Sequence, residues 1–381
     1  MDVLVIGGGI AGFTTAYHLA GKGRSVLLLE RETRPAYHST GRSAVFFRGS
    51  HGVARVRALC RASRPFFADP PRTLPERRLA SPRDALFICS SADLPALEAF
   101  VQGARESGTP IERLAPEEAC ARVPVLRPEY VGGAALETGG MDIHLPALLA
   151  TLQEGILARG GRIELGAEVR EIERKDGLWR VRTSACDYSA PLLVNAAGAW
   201  SDRIARLAGA RPIGLVPKRR TVMTFRPDPA AGIARWPMVL EVRERFYFRP
   251  WGEELLASPA DQTPVPPCDA QPEEADCRLL LQRLAEATTL PLGPASRLRR
   301  WAGLRSFVPD ERPVLGWDPD LPGFFWVAAL GGFGIETSPA VGEVAAALLT
   351  GEPFPPHVAA EGVCAADFSP ERLRIQKNAG G

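Results

Sequence analysis

The sequence predicts an α/β protein in which one sheet is assembled from three separated segments of chain. The first segment is a β-α-β unit, since residues 2–6 and 25–30 are apolar runs and the residues between them have helical spacing. A second α/β segment lies at 161–198, where an apolar run ends in small residues. The third, at 323–351, again reads as a strand, a glycine turn and a helix.

Between these segments the chain has a different character. Residues 79–140 and 217–297 mix short strand-like runs with amphipathic helical patterns. A chain of 381 residues that is 45% apolar can bury a large core, and ordinary domain sizes favour two domains. We therefore predict a first domain built from 1–78, 141–216 and 298–381, and a mixed second domain built from the two intervening segments.

Composition excludes several classes of function. The net charge is +2 and the basic residues are scattered, which argues against nucleic acid as a partner. Of the 46 basic residues only four are lysines, and the resulting 42 arginines indicate a compositional bias.

The seven cysteines are odd in number and lack metal-ligand spacing, so we expect reduced cysteines and no metal. No signal peptide or membrane-spanning run is recognisable, which favours a cytoplasmic protein.

A glycine-rich loop points to a dinucleotide. Gly7, Gly9 and Gly12 follow the first strand and open the first helix, where glycines permit a tight turn, close approach of a pyrophosphate and helix packing. The helix N-terminus offers free N–H groups to the phosphates. Glu30 closes the second strand at the distance expected for a contact with ribose hydroxyls.

The loop alone does not distinguish NAD from FAD, but two other segments favour FAD. An Arg/Ser-rich stretch, residues 38–44, follows Glu30 where a nicotinamide enzyme would normally continue toward a second mononucleotide-binding repeat. A second glycine turn at 331–338 opens a helix and is well placed for the polar edge of a flavin.

Taken together, these segments resemble the FAD-dependent D-amino-acid oxidase superfamily, and within it the D-arginine dehydrogenase type. The similarity covers most of the chain and runs through VIGGGIAG, LLLERE, YHSTGRSA, VNAAGAW, PKRR, WAGLRSF and FFWVAALGGFGI. The resemblance implies an α/β FAD-binding domain, Rossmann-like and of the glutathione-reductase type, with an inserted α+β substrate domain. This architecture agrees with the division reached from the sequence pattern.

The resemblance also implies a set of cofactor-binding residues. Gly7, Gly9, Gly12 and Glu30 would hold the ADP half, and Val169 would present backbone on the adenine side. The residues that would line the pyrophosphate and the flavin are Arg31, Ser39, Arg42, Ser43 and Ala44. Those expected at the polar edge of the flavin are Gly332, Gly334, Ile335 and Glu336.

For the substrate, the family pattern implies Arg305, Tyr247 and Arg220. A guanidinium offers a planar fork that grips a carboxylate through two hydrogen bonds, and a phenol adds a directional third. These three side chains would hold the substrate carboxylate so that the Cα–H bond faces the flavin. No dedicated base is assigned, since a neutral amine can lose hydride without one.

The chain departs from the arginine-specific relatives at the side-chain pocket. Phe46, Phe47 and Arg48 replace a His-Tyr-Thr run, His51 replaces a lid tyrosine, and Ala85 stands where those relatives carry a glutamate that receives the guanidinium. Burying an unpaired substrate charge is costly, so we predict that D-arginine is a poor substrate. Uncharged D-amino acids, apolar ones first, are expected to be better, with acidic ones second if Arg48 points inward.

The predicted function is therefore FAD-dependent oxidation of a D-amino acid to an imino acid, which hydrolyses to a 2-oxo acid and ammonia. One alternative is the same fold acting on a secondary amine or a 2-hydroxy acid, as in glycine and sarcosine oxidases. An alternative from another class is a flavin-binding subunit or sensor without turnover. The electron acceptor, a quinone or oxygen, is not indicated by the sequence.

Overall fold

The computed structural model describes residues 1–70 and 77–374. Within them are twenty β-strands and ten α-helices. The strands are β1 (Val3–Ile6), β2 (Val26–Leu29), β3 (Phe46–Phe47), β4 (Ala80–Pro82), β5 (Ala85–Cys89), β6 (Ile111–Leu114), β7 (Gly133–Glu137), β8 (Met141–Ile143), β9 (Arg162–Glu164), β10 (Val169–Lys175), β11 (Leu178–Thr183), β12 (Asp187–Ala190), β13 (Leu192–Asn195), β14 (Val216–Phe225), β15 (Met238–Glu241), β16 (Tyr247–Trp251), β17 (Glu254–Ser258), β18 (Arg297–Phe307), β19 (Val314–Trp317) and β20 (Phe324–Ala328). The helices are α1 (Ile10–Gly21), α2 (Ala54–Ala68), α3 (Leu94–Glu106), α4 (Pro116–Arg122), α5 (Leu145–Ala158), α6 (Ser201–Leu207), α7 (Glu274–Ala287), α8 (Ser338–Thr350), α9 (Pro356–Ala359) and α10 (Ala365–Phe368).

The first sheet has six strands in the order β19-β20-β13-β1-β2-β9. All of its pairs are parallel except β19 with β20. The central strands β1 and β2 are continuous apolar runs because both faces are covered. Val3 and Val5 pack in the core with α1, α5 and α8, whereas Leu4 and Ile6 face the three-stranded sheet β10-β11-β12. The α/β fold class predicted from three separated segments is confirmed.

The second large sheet has eight strands in the order β18-β14-β17-β16-β15-β5-β7-β6. Six of them lie within the two segments predicted to form the second domain, and β14 does so except for Val216. The eighth, β18, pairs with β14 along most of its length, although all of it except Arg297 lies in the range assigned to the first domain. The exact domain boundaries stay a prediction, and β18 is the element that joins the two units.

The helices cover the outer faces of the sheets. On one face of the eight-stranded sheet, α7 packs into an apolar core through Leu280 and Leu284. The other face of this sheet packs against the segment that contains Ala44 and Phe46. The longest described helix, α2, has 15 residues. No helix in 1–70 or 77–374 combines the length and apolar character needed to cross a membrane.

Candidate active site

A long cavity lies between the two large sheets and collects nearly all of the residues that the sequence singled out. One end is lined by Glu30, Arg31 and Val169, and the other by Arg220, Tyr247 and Arg305 among others. Of the predicted site residues, only Gly12, Ala85 and Glu336 do not line it among the residues that the structure describes. The wall between the two ends is formed by the glycine loop, the 36–48 segment and the 328–335 turn.

Two positions of the glycine loop, Gly7 and Gly12, have no room for a side chain. Gly7 has φ +116°, and a Cβ there would lie 2.3 Å from the carbonyl oxygen of Ala196 on the neighbouring strand connection. A Cβ at Gly12 would lie 1.8 Å from the carbonyl oxygen of Gly7, so helix α1 packs directly on the turn. At Gly9 the nearest atom would be Thr40 Oγ1 at 3.4 Å, which leaves the backbone open to a phosphate.

Glu30 fixes the loop from the end of β2. Its carboxylate accepts hydrogen bonds from the N–H groups of Gly8, at 2.6 Å, and Glu32, at 2.8 Å. Gly8 is a site residue that the three-glycine pattern does not identify, because a Cβ there would lie 2.8 Å from the side chain of Glu30. A carboxylate has about four acceptor positions, so Glu30 retains capacity for ribose hydroxyls.

Thr40 is a second residue that the sequence reasoning missed. Helix α1 begins after Gly9, which has no side chain to cap it, and Thr40 Oγ1 instead accepts the hydrogen bond of the Ile10 N–H at 3.0 Å. The only sequence signal was its position inside the HSTGRSA stretch. Thr40 therefore ties the 36–48 segment to the helix end that faces the phosphate site.

Two arginines at the nucleotide end are held by protein partners. The Arg31 guanidinium lies 4.1 Å from the centroid of the Trp200 ring and 2.8 Å from both Glu32 Oε1 and His38 Nε2. Trp200 thus joins the adenine side of the cavity as a residue not singled out from the sequence. Stacking on an indole restricts the guanidinium to one orientation.

Arg42 is held by protein partners that are distant in the sequence. Its guanidinium donates to the carbonyl oxygens of Ala270 and Ala302 and forms an ion pair with Asp269. Arg42 also lines the cavity. The sequence pattern does not reveal these partners, which lie more than 220 positions away.

The segment after Arg42 contains strained backbone. Val45 has φ +46°, a conformation rarely adopted by β-branched residues. Arg249 stabilises it from β16: its guanidinium donates to the carbonyl oxygens of Ala44 and Val45 and pairs with Asp142. Arg249 is 4% exposed, and burial lowers its pKa to about 10. Ala44 and Val45 are thereby fixed in the cavity wall, where Ser43 also lies.

At the other end of the cavity, β14 and β18 present Arg220 and Arg305 on one face. Arg220 pairs with Gly303, and Lys218 with Arg305, so positions of like parity point the same way. The adjacent Arg219 points to the opposite face and forms ion pairs with Glu273 and Asp276 of the α7 region. Because side chains alternate along the strand, Arg220 of the PKRR motif lines the cavity and Arg219 does not.

Arg305 lies on the glycine turn with its charge exposed only to the cavity. A Cβ at Gly332 would lie 2.1 Å from Arg305 Nη2, and the guanidinium carbon is 5.2 Å from the ring centroid of Phe307. Within the described residues its Nη1 atom has no hydrogen-bond partner. Burial, with neighbouring Arg220, lowers the pKa of Arg305 to about 9. A guanidinium held in this way is suited to a carboxylate ligand.

Arg220 and Tyr247 complete this wall. The Arg220 Nε donates to the carbonyl oxygen of Asp261 at 2.9 Å, and its guanidinium carbon lies 5.9 Å from the Tyr247 ring centroid. Its buried Nη2 has no partner among residues 1–70 and 77–374. Both side chains line the same end of the cavity as Arg305, as the resemblance implies.

The pocket residues that distinguish this chain fall into two layers. Phe46 and Arg48 line the cavity, and the Arg48 guanidinium carbon lies 5.6 Å from the centroid of the Phe87 ring. Ala85 is fully buried in β5, where it pairs with Met238 and Glu137 on neighbouring strands. Ala85 is thus part of the sheet beneath the pocket and offers no group to a substrate.

Glu336 lies behind the cavity wall and not at its edge. It is 3% exposed, and its carboxyl group accepts the Arg48 N–H at 3.1 Å and is hydrogen-bonded to Nδ1 of His51. Burial raises the pKa of Glu336 to about 8. Burial and the charges of Arg48, Arg305 and Arg220 hold the pKa of His51 well below its usual value. His51 itself lines the cavity, so its orientation is set by a buried carboxyl.

A second buried carboxylate, Glu137, holds the turn between Arg48 and His51. It accepts the Gly49 N–H at 2.7 Å, the Ser50 N–H at 3.2 Å and the Ser50 hydroxyl. The sequence offered no signal for this role, because Glu137 ends an ordinary apolar strand 87 positions from Ser50. Arg48 and His51 are consequently presented by a turn fixed from both sides.

Comparisons with known proteins agree with this geometry. Residues 2–348 match the family described as DAO, FAD dependent oxidoreductase. The chain is 24% identical to a glycine oxidase of Geobacillus kaustophilus, over 91% of this chain and 92% of that protein. It is 25% identical to a mitochondrial sarcosine dehydrogenase of Mus musculus over 85% of this chain, but it spans only 37% of that protein.

Among solved structures, L-proline dehydrogenase from P. horikoshii superposes with a TM-score of 0.83 at 21% identity, covering 98% of each chain. At that identity the likeness concerns the fold. The finer resemblance to the D-arginine dehydrogenase type stays a prediction, whereas the superfamily is confirmed by a match over residues 2–348. The chain belongs to the FAD dependent oxidoreductase family DAO, and the cofactor predicted from its glycine loop and turn segments, FAD, is confirmed.

Proposed function

We propose that the protein oxidises the C–N bond of a D-amino acid, with the substrate carboxylate bound by Arg305, Arg220 and Tyr247. The observation that carries this proposal is the pair of guanidinium groups at one end of the FAD cavity, each with a donor that lacks a protein partner among the described residues. A carboxylate supplies acceptors for both and compensates their burial.

FAD, when bound, supplies the hydride acceptor. The chain contributes position: Arg305 and Arg220 fix the carboxylate, and a fixed carboxylate limits the orientations of Cα relative to the cofactor. Loss of hydride from Cα and of a proton from nitrogen gives an imino acid, which water hydrolyses to a 2-oxo acid and ammonia.

The same arginines favour the reactive form of the amine. An ammonium group close to Arg220 and Arg305 is destabilised by like charge, so the pKa of a bound amine is lowered. His51 adds no positive charge, because its own pKa is well below the usual value. A neutral amine can form the C=N bond as hydride leaves, and no dedicated base is required.

A secondary amine is the second candidate substrate class. It is favoured by the match to a sarcosine dehydrogenase over 85% of this chain, because sarcosine, N-methylglycine, is a secondary amine. The same carboxylate clamp would serve a secondary amine or a 2-hydroxy acid, and these differ from a primary amine in their products.

An anaerobic screen of flavin reduction separates the candidates. We expect bleaching of the flavin absorbance by D-amino acids, with ammonia as the product, and not by their L enantiomers. Release of a primary amine would identify a secondary amine as the substrate, and a 2-oxo acid without any nitrogen product would identify a hydroxy acid. Absence of bleaching by every amine and hydroxy acid would favour the flavin-binding subunit.

A further inference from the structure

Arg48 is a buried, cavity-lining arginine that has no part in the proposed binding of the substrate carboxylate. It is 8% exposed, follows the short strand β3, and lies against Phe87 of β5. Among the ion pairs and hydrogen bonds of the described residues, Arg48 takes part only through its backbone N–H, which Glu336 accepts. Arg305, in contrast, lies against Gly332 and Phe307, so the two guanidinium groups pack on different residues.

The nearby carboxyl groups are engaged elsewhere. Glu336 binds the backbone N–H of Arg48 and the ring of His51, and burial keeps its pKa near 8, so it is largely uncharged at neutral pH. Glu137 is used by the Gly49–Ser50 turn. Glu244, which also lines the cavity, is exposed, and its charge acts on Arg305.

Asp261 and Glu241 are also engaged. Asp261 accepts the N–H and hydroxyl of Thr221, and Glu241 accepts two backbone N–H groups and pairs with Arg245. The pocket therefore contains three buried or half-buried guanidinium groups and too few carboxylates to neutralise them. Burying an unpaired charge costs more than burying a paired one, so the balance is completed by a ligand.

One substrate carboxylate satisfies Arg305 and Arg220 and leaves Arg48 without a partner. We infer that Arg48 binds a second carboxylate, and that the substrate is a dicarboxylic amine: an amino acid with an acidic side chain, or an imino diacid. The inference rests on the proposed amine oxidation and specifies its substrate class. It reverses the order expected from sequence, in which apolar side chains came before acidic ones.

The test compares each diacid with a matched neutral compound on the FAD-loaded protein. The pairs are D-glutamate with D-glutamine, D-aspartate with D-asparagine, and iminodiacetate with N-methylglycine. We expect kcat/KM for at least one diacid to exceed that of its partner by about 30-fold or more, the usual effect of truncating one side of a buried charge pair. Because the two kcat/KM values of each pair are divided by one another, an effect on the flavin that is common to both substrates cancels.

Variants of Arg48 then locate the source of the preference. Arg48→Gln should reduce the diacid-to-neutral ratio by about 30-fold, and Arg48→Lys should retain part of it because the charge is kept. Arg61→Gln is the matched control, since Arg61 is an arginine of α2 that pairs with Glu361 at 2.7 Å outside the cavity. That control should leave the ratio unchanged.

Three results would overturn the inference. They are equal kcat/KM within all three pairs, a preference that survives in Arg48→Gln, and an equal fall for diacid and neutral substrate in Arg48→Gln. The last result would mean that Arg48 acts on the flavin or on folding.

A binding measurement separates this inference from the proposed reaction. Glutarate and pentanoate, which have no amine to oxidise, are titrated against the flavin absorbance spectrum. If no amine reduces the flavin, the proposed oxidation fails. Binding of glutarate about 30-fold tighter than pentanoate, lost in Arg48→Gln, would still support the second carboxylate site. Equal binding of the two acids would overturn it.

Discussion

The two ends of the cavity treat their arginines in opposite ways. At the nucleotide end, Arg31 and Arg42 are bound by Glu32, Asp269 and backbone carbonyl groups. At the substrate end, Arg305 and Arg220 each retain a buried donor without a partner in the described residues. The arginines at the nucleotide end are therefore paired within the protein. Those at the substrate end retain positive charge that a bound ligand would neutralise.

The two ends are therefore expected to recognise their ligands by different means, the nucleotide end by shape and the substrate end by charge. At the end predicted to hold the nucleotide, the glycines leave no side chains between the backbone and a phosphate, so we expect cofactor binding there to come from fit and from N–H groups. The substrate end depends on guanidinium groups placed on strands β14 and β18. Substitutions at the first end should act on cofactor binding and stability, and those at the second on substrate capture.

The largest effect is expected from Gly12→Ala, which tests the first half of this comparison. The new Cβ would lie 1.8 Å from the carbonyl oxygen of Gly7, a backbone atom that cannot move without displacing β1 from β13. We expect a loss of about 3 kcal/mol or more in the free energy of unfolding, together with loss of FAD. Urea unfolding and the flavin content of the purified protein measure both.

Gly21→Ala is the control for this substitution, because Gly21 lies in the same helix and its Cβ would be 4.0 Å from the nearest atom, Arg159 Nε. It should be neutral or slightly stabilising. Equal stability of the two variants would show that the loop tolerates a side chain.

Arg305→Ala tests the second half. Removing the guanidinium leaves the substrate carboxylate partly unpaired, which typically costs about 2–5 kcal/mol, or roughly 30-fold to several thousand-fold in kcat/KM. FAD content should be unchanged. Arg219→Ala, on the adjacent strand but facing α7, is the matched control and should leave kcat/KM close to that of the parent. Parallel loss of FAD in Arg305→Ala would mean that the two ends are not separable.

The buried pair Glu336 and His51 should make stability depend on pH in a defined window. Glu336 has a raised pKa, so the folded protein binds more protons than the unfolded chain between pH 4.5 and about 8, and this contribution falls as pH rises. His51 has a lowered pKa and acts in the opposite sense below pH 6.5, where the unfolded chain binds the extra proton. The two contributions oppose each other below pH 6.5, and only that of Glu336 remains above it.

We therefore expect the free energy of unfolding to fall by up to about 2 kcal/mol between pH 6.5 and 8 because of Glu336. Glu336→Gln should remove this slope, which denaturant unfolding at several pH values would measure on both proteins. A slope of the same size in the variant would assign the pH dependence to other groups.

The smallest effect is expected from Gly332→Ala. The added Cβ would lie 2.1 Å from Arg305 Nη2, the mobile end of a side chain, so the guanidinium shifts while the backbone stays in place. We expect kcat/KM to fall about tenfold, mainly through KM, with little change in stability. If Gly332 acts through Arg305, the double variant with Arg305→Ala should be no worse than Arg305→Ala alone. Additive losses would give Gly332 a separate role.

What the sequence could predict follows from the range of the interactions involved. The strand, glycine turn and helix around Gly7 and Glu30 depend on residues close in the chain and were identified from pattern alone. Gly8 and Thr40 were missed because their requirement comes from a contact with Glu30 and from the cap of α1. These contacts join residues 22 and 30 positions apart, which a local pattern does not report.

The substrate end was less predictable because it depends on register and burial. Alternation along β14 shows why Arg220 and not Arg219 lines the cavity, but only once its pairing with β18 is known. The position of Glu336 behind His51 depends on a hydrogen bond across 285 positions, and a motif cannot indicate it. The substrate preference inferred for Arg48 likewise required knowing that no carboxylate in residues 1–70 and 77–374 pairs with its guanidinium.

The central position of β1 has a consequence for how the protein acquires its cofactor during synthesis. β1 lies between β2 and β13, and the cavity wall also requires β20 and the turn through Ile335. A nascent chain of which only the glycine loop has been synthesised therefore contains the motif but lacks the rest of the FAD-binding cavity. We therefore expect the chain to retain FAD only after these elements have assembled, so that bound flavin would report the correct assembly of residues 3 to 335.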